Sequence, residues 1–187
     1  MDRRTFGAAL ITSIGSLALS GCRPDPAAAL TGRAMPDLAA TLLDGTGTNL
    51  ARLGKPALIR FWGLWCGPCR TDEPQWEAVL RDLGPKEAAR GELALMSVHM
   101  GHAPKDGPSL NQWAAARDPA TAIPIIDDRT MRLAQAVGVP GTPLTMVIDQ
   151  HGTIIQHAWA FKNSHGVSRF LAKTRATLAS AGRDRRP

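Results

Sequence analysis

The sequence predicts an α/β domain in which helices flank a central sheet, and three observations carry that expectation. Ala57-Leu58-Ile59-Arg60-Phe61-Trp62 is an apolar run of strand length. After a short turn, Arg70 to Leu83 carries helical spacing, with Trp76, Val79, Leu80 and Leu83 on one side. Strand and helix signatures then alternate along the rest of the chain, the order that layers helices on a sheet. The 187 residues, 44% of them apolar, suffice for one core of ordinary domain size.

The later elements follow from local signals. Leu93 to Val98 reads as a strand and Leu110 to Arg117 as a helix. Ile123 to Ile126 is a short strand bounded by Pro124 and an Asp127-Asp128 turn, and Met131 to Val137 is a helix ended by Gly138. Met146 to Ile148 and Ile154 to Trp159 are strands joined at Gln150-His151-Gly152, and Val167 to Leu178 is the closing helix. Repeats and low-complexity blocks are absent from the sequence.

The N-terminus stands outside this domain. Arg3 and Arg4 precede an uncharged stretch, and the apolar part from Phe6 to Leu19 is 14 residues long. That is the layout of an export signal, and it is shorter than the roughly 20 residues of a spanning helix. Leu19-Ser20-Gly21-Cys22 resembles the bacterial lipoprotein box, which makes Cys22 the expected lipid anchor, with residues 1–21 removed. The acyl chains would hold the protein to a bilayer at about 0.8 kcal/mol per buried methylene. Arg3-Arg4-Thr5-Phe6 resembles a twin-arginine signal, from which Gly7 departs. Arg23 is not the aspartate associated with inner-membrane retention, so an outer-membrane address is weakly preferred. Residues 22–34, rich in Pro and Ala, are expected to be a tether; the domain is expected to span 35–180 and a basic tail 181–187. The formal charge of +6 sits largely at the two ends, in Arg3, Arg4, Arg183, Arg185 and Arg186. No basic stripe interleaved with aromatics runs through the body, which argues against nucleic acid as a partner.

With Cys22 assigned to lipid, Cys66 and Cys69 remain. A solitary pair cannot form a four-thiolate zinc site, and a disulfide closing so small a loop constrains the unfolded chain little. A redox dithiol and a two-sulfur metal grip are the candidates. The pair falls where a strand ends and a helix begins. There the unpaired N–H groups and the macrodipole favour a thiolate, and cysteines so placed have pKa values of about 3.5 to 7.5. Cys66 is therefore the expected nucleophile and Cys69 the resolving thiol, with Pro68 stiffening the loop between them.

Phe61-Trp62-Gly63-Leu64-Trp65-Cys66-Gly67-Pro68-Cys69-Arg70 resembles the thioredoxin active site. The stretch from about Met35 to Ala179 resembles the extracytoplasmic TlpA/ResA-like branch of that superfamily. Pro36-Asp37-Leu38 with Leu42-Leu43-Asp44-Gly45 resembles the branch's N-terminal hairpin, Asp72 and Pro74 match its acidic residue and proline after the second cysteine, and the run from Val137 to Asp149 matches its second signature. The resemblance implies a three-layer thioredoxin-like fold with a mixed sheet and an N-terminal hairpin extension. It also implies a cis peptide bond before Pro143 that exposes the backbone of Thr142 to a substrate strand. No organic cofactor is implied. The expected partners are protein thiols or disulfides and a membrane electron donor, and the protein is expected to be a monomer in the bacterial periplasm.

One departure from the thioredoxin pattern matters. The buried carboxylate that thioredoxins carry six residues before the first cysteine is replaced by Arg60. A buried guanidinium needs a partner, and Asp72 and Glu73 are the acids at hand. Either Arg60 stabilises the thiolate and makes the couple more oxidising, or it snorkels to the end of the sheet with no influence on sulfur. Asp72 becomes the candidate proton acceptor for Cys69. Trp62 and Trp65 are expected to form a hydrophobic collar around the dithiol, and His99 and His102 to be solvated residues of a surface loop. Disulfide exchange, reductive and of the cytochrome c or copper-site maturation type, is the leading function. Metal delivery by the same thiols is the alternative. A peroxidase of the peroxiredoxin type is disfavoured because Gly63 stands where that class has threonine.

Overall fold

The computed structural model describes residues 24–90 and 92–183. The export signal, Cys22 and the Arg185-Arg186 end of the tail lie outside the described residues. Ala40–Thr41 (β1) and Gly47–Thr48 (β2) form a small antiparallel hairpin. The central sheet contains β3 (Ala57–Trp62), β4 (Ala94–Met100), β5 (Ile125–Asp128), β6 (Leu144–Ile148) and β7 (Ile154–Trp159), in the order β5-β4-β3-β6-β7. β3 runs parallel to β4 and β4 to β5, whereas β6 is antiparallel to both β3 and β7, so the sheet is mixed. The helices are α1 (Gly67–Arg90), α2 (Leu110–Ala115), α3 (Arg132–Val137) and α4 (Ser164–Arg183).

All six residues of β3 are buried, as a central strand covered on both faces requires. Alternation sorts them. Ala57, Ile59 and Phe61 join Met96, Val98, Met146 and Ile148 in the larger apolar core, together with Leu133 and Val137 of α3. Leu58 points the other way, into a second core with Trp76 and Leu80 of α1 and Val167, Phe170 and Leu171 of α4. Among the described residues no helix is long and apolar enough to cross a membrane.

Three expectations are corrected. Residues 24–34 of the segment read as a tether are part of the domain: Ala27 and Leu30 are buried in the larger core, and a 3-10 turn spans Ala28–Leu30. Its backbone pairs with the start of β7, Gly32 N–H donating to Ile154 O at 2.7 Å and Ile154 N–H to Arg33 O at 2.8 Å. Asp25 accepts from the Trp159 indole at 2.9 Å and pairs with His157. Small residues let this irregular segment lie flat on the sheet, and irregular pairing leaves no periodic trace in sequence. The strand expected to stop at Val98 continues to Met100, which places His99 inside the sheet. Asp127 and Asp128 belong to β5 rather than to a turn, and Asp128 closes the N-terminus of α3 by accepting from Leu133 N–H and Ala134 N–H.

Candidate active site

The dithiol lies at the C-terminal end of β3, and the start of α1 positions it. Cys66 precedes the first helical residue, its carbonyl accepting the Arg70 N–H at 3.2 Å. Its sulfur accepts the Cys69 N–H, also at 3.2 Å. Cys66 thus occupies the N-cap position, with sulfur in the place of a capping oxygen, aimed by one of the otherwise unpaired amides. Cys66 and Cys69 form a disulfide and are 3% and 1% exposed.

The turn into the helix is held at several points. Trp65 is 47% exposed and donates its indole N–H to Met100 O at 2.6 Å. Its ring folds back over Gly63, where a Cβ would stand 2.5 Å from the indole nitrogen. A side chain at position 63 would therefore require the Trp65 ring to move from this position. Contrary to the expected collar, Trp62 does not form an exposed rim with Trp65. It is buried beneath the disulfide, packed on Trp113 of α2 at 4.4 Å between ring centroids, in one cluster with Cys66, Cys69 and Leu64.

The Thr142–Pro143 peptide bond is cis, as the resemblance implies. Phe61 pairs with Leu144, so Pro143 sits at the end of β6 beside the point where β3 gives way to the Gly63–Cys66 turn. Pro143 is buried and Thr142 partly exposed.

Arg60 has its expected partners. It is 4% exposed, and donates to Asp72 at 3.2 Å, to Glu73 at 2.5 Å and to the Cys69 carbonyl at 3.3 Å. Burial to this degree excludes snorkelling. The guanidinium lies between the rings of Trp62 and Trp76, 6.0 and 5.5 Å from their centroids. Glu73 is shared with Arg117, which stacks on Trp113 at 4.5 Å. Asp72 uses its second oxygen to accept the Phe161 N–H at 2.9 Å. Burial pushes the Asp72 carboxyl above its ordinary 3.8, against the opposing pull of Arg60. Beside Cys69 a cavity of about 490 Å³ opens between Trp62, Leu64, Arg70, Pro104 and Trp113, and a second of about 530 Å³ lies behind Trp62, bordered by Arg60, Glu73 and Arg117.

His99 overturns its expectation. It is 1% exposed, its ring is edge-on to Trp62 at 5.2 Å, and its Nε2 accepts the Leu64 N–H at 3.2 Å. The alternation Met96-Ser97-Val98-His99-Met100 carried the signal, since it continues the period of two past Val98. His102 is exposed, as expected. Among the described residues no group of three or more His, Cys, Asp or Glu side chains is placed to hold a metal ion.

A thioredoxin-like sheet carrying a Cys-x-x-Cys pair at a helix N-terminus, next to a cis-proline, defines a thiol-disulfide oxidoreductase. Comparison with known proteins agrees. The AhpC/TSA family model matches residues 31–157, and the chain belongs to that family. It is 27% identical over 146 residues to the thiol-disulfide oxidoreductase ResA of Geobacillus thermodenitrificans, covering 78% of each chain. Among solved structures it resembles one from Chlorobium tepidum proposed to be a thiol:disulfide interchange protein DsbE, with a TM-score of 0.61 and 22% identity over 79% of this chain and 97% of that one. It also resembles the pneumococcal exposed lipoprotein thioredoxin of Streptococcus pneumoniae, with a TM-score of 0.54 and 20% identity over 74% of this chain and 99% of that one.

Proposed function

We propose that this protein reduces disulfides of protein substrates outside the cytoplasm, attached to a membrane through lipid on Cys22. The observation that carries the reading is the Cys66 sulfur receiving the Cys69 amide at the start of α1. In the reduced protein the same amide and the helix dipole face a thiolate, which they stabilise. The Cys66 thiolate attacks one sulfur of a substrate disulfide and displaces the other, giving a mixed disulfide. Cys69, deprotonated, then attacks the Cys66 sulfur; the substrate leaves as a dithiol, and the protein is left with its own disulfide. Two electrons pass to the substrate, and a membrane thiol donor returns them. The Thr142 backbone beside cis-Pro143 takes the substrate strand, and exposed Trp65 gives it an apolar surface. Asp72, whose carboxyl is raised by burial, suits the role of proton acceptor for Cys69. Arg60, bonded to the Cys69 carbonyl, biases the couple toward the thiolate form.

The chemistry runs on sulfur alone in this reading, with no organic cofactor, and the protein acts as a monomer without nucleic acid. ResA is named a thiol-disulfide oxidoreductase, and the pneumococcal structure is titled an exposed lipoprotein thioredoxin. The resemblance to the TlpA/ResA-like branch points to apocytochrome c or copper-site cysteines as substrates. The test is alkylation trapping of the Cys66/Cys69 pair in cells with and without candidate membrane donors. A mostly reduced pair that becomes oxidised when a donor is deleted is expected; a pair oxidised under both conditions would refute the reductive direction. An insulin-reduction assay beside a metal-binding assay on the reduced protein separates exchange from metal delivery.

A further inference from the structure

The active-site turn is gripped by the end of β4 in a way that neither the family match nor the proposed reaction uses. Leu64 is held through both of its flanking peptide groups: its N–H donates to His99 Nε2 at 3.2 Å, and its carbonyl accepts from Arg70 at 3.4 Å. One residue further along the turn and along β4, the Trp65 indole N–H reaches Met100 O. A backbone amide can only donate, so Nε2 must present a lone pair, and a neutral ring then carries its proton on Nδ1. His99 Nδ1 is buried and has no hydrogen-bond partner, and the same is true of Asp127 Oδ1. These two residues are register partners on β4 and β5, so their side chains share one face of the sheet. The other Asp127 oxygen pairs with Arg129 at 2.8 Å.

We propose that His99 is a positioning residue for the dithiol: its neutral imidazole, protonated on Nδ1 and oriented toward Asp127, holds the Leu64 amide and so the turn that presents Cys66. Protonating Nε2 replaces an acceptor by a donor against the Leu64 N–H, and the turn loses that anchor. The groups facing the ring set when this happens. Burial disfavours the cation most, Asp127 favours it and Arg129 opposes it, so the ring stays neutral below the ordinary histidine range. Arg70, bonded to the Leu64 carbonyl, the dithiol, and Arg60, on the same face of β3 and stacked on Trp62, are the further charged or titratable groups of the elements around the ring. Exchange by this protein is then clamped at neutral pH and loosened in acid.

The proposal rests on the exchange role above, but two of its tests do not need activity. Nitrogen-15 shifts of the His99 ring at neutral pH are expected to show an unprotonated Nε2 and a protonated Nδ1; the opposite tautomer overturns the proposal whatever the enzyme does. Following the same signals in acid should show the Leu64 amide shifting together with the ring, and an amide that ignores the ring's titration also overturns it. The third test compares pH profiles of substrate-disulfide reduction. His99→Gln keeps an acceptor near the Nε2 position without titrating, and is expected to stay within about threefold of the parent at neutral pH while losing the acid step that the parent shows beyond Cys66's own ionisation. His99→Phe, which removes the acceptor, is expected to lower the rate about fivefold to tenfold at every pH, the worth of one hydrogen bond. An acid step unchanged in His99→Gln would sink the idea even if His99→Phe proved unable to fold. Loss of all exchange in Cys66→Ser concerns only the underlying reaction.

Discussion

The two faces of the central sheet are made from the same strands but do different work. On one, Ala57, Ile59 and Phe61 of β3 meet Met96, Val98 and Met146, and the segment from Ala27 to Met35 closes over them with α3. On the other, the next residue along each strand brings Arg60, Ser97, His99 and Thr145 into the interior beneath the dithiol. The first face is held together by area removed from water, which is non-directional and tolerant of exchange among apolar residues. The second contains buried polar groups that stabilise the fold only when each has its partner. A protein can carry reactive sulfur over such a layer because the opposite face supplies the stability.

That contrast can be broken from either side. Phe61→Ala should have the largest effect on stability, about 3 to 5 kcal/mol, by opening a cavity in the apolar core. Chemical denaturation would show it, and the dithiol potential of the folded fraction should not move. Arg60→Met should cost nearly as much, about 3 kcal/mol, toward the low end for a broken buried pair because Glu73 keeps Arg117. Here the glutathione-titrated potential should shift as well, about 30 mV for each 1.4 kcal/mol lost from the thiolate form. An Arg60→Met protein with an unchanged potential would separate the charged layer from the sulfur chemistry.

The pH dependence sharpens the comparison further. Asp72 has a folded pKa raised above 3.8, so the native state binds its proton more tightly than the unfolded chain. Its contribution is fully present below 3.8 and is lost as pH rises through the raised folded value, which makes stability fall across that window. Asp72→Asn should flatten this part of a stability–pH curve, and a slope retained in the variant would assign it elsewhere. The smallest effect belongs to the apolar side. Asp25, bonded to His157 and Trp159, is held down to about 2, so its contribution is fully present above 3.8 and is lost as pH falls from there through about 2. Asp25→Ala should lower the melting temperature slightly at pH 7, a difference that disappears only below about pH 2, and exchange rates should be equal throughout.

Much of this was legible in the chain itself. The Phe61-to-Arg70 motif, the strand before it and the helix after it declare a dithiol at a helix N-terminus, because N-terminal amides, an early proline and strand periodicity are all local properties. The second signature around Pro143 was readable only through its resemblance to the TlpA/ResA-like branch, whereas the need of Arg60 for an acid follows from the residues, since a guanidinium within an apolar run has to be neutralised. Three features escape that reading, although for His99 the alternation past Val98 is in the sequence. The 24–34 segment meets residues more than a hundred positions away, Ile154 through irregular backbone pairing and His157 through the Asp25 side chain. His99 looked like a loop residue because its strand was cut one period short. The meeting of His99 with Leu64 and Asp127 depends on the parallel register of β3, β4 and β5.

By itself, then, the sequence determined the reactive pair, its helix-start setting and the thioredoxin-like order of elements, since each is written in residues within a few positions of one another. Only the tertiary structure decided which buried groups face each other beneath the sulfur atoms. Strand order and register are set by the packing of the whole sheet, and a shift of one residue would have turned Arg60 and His99 to the opposite face.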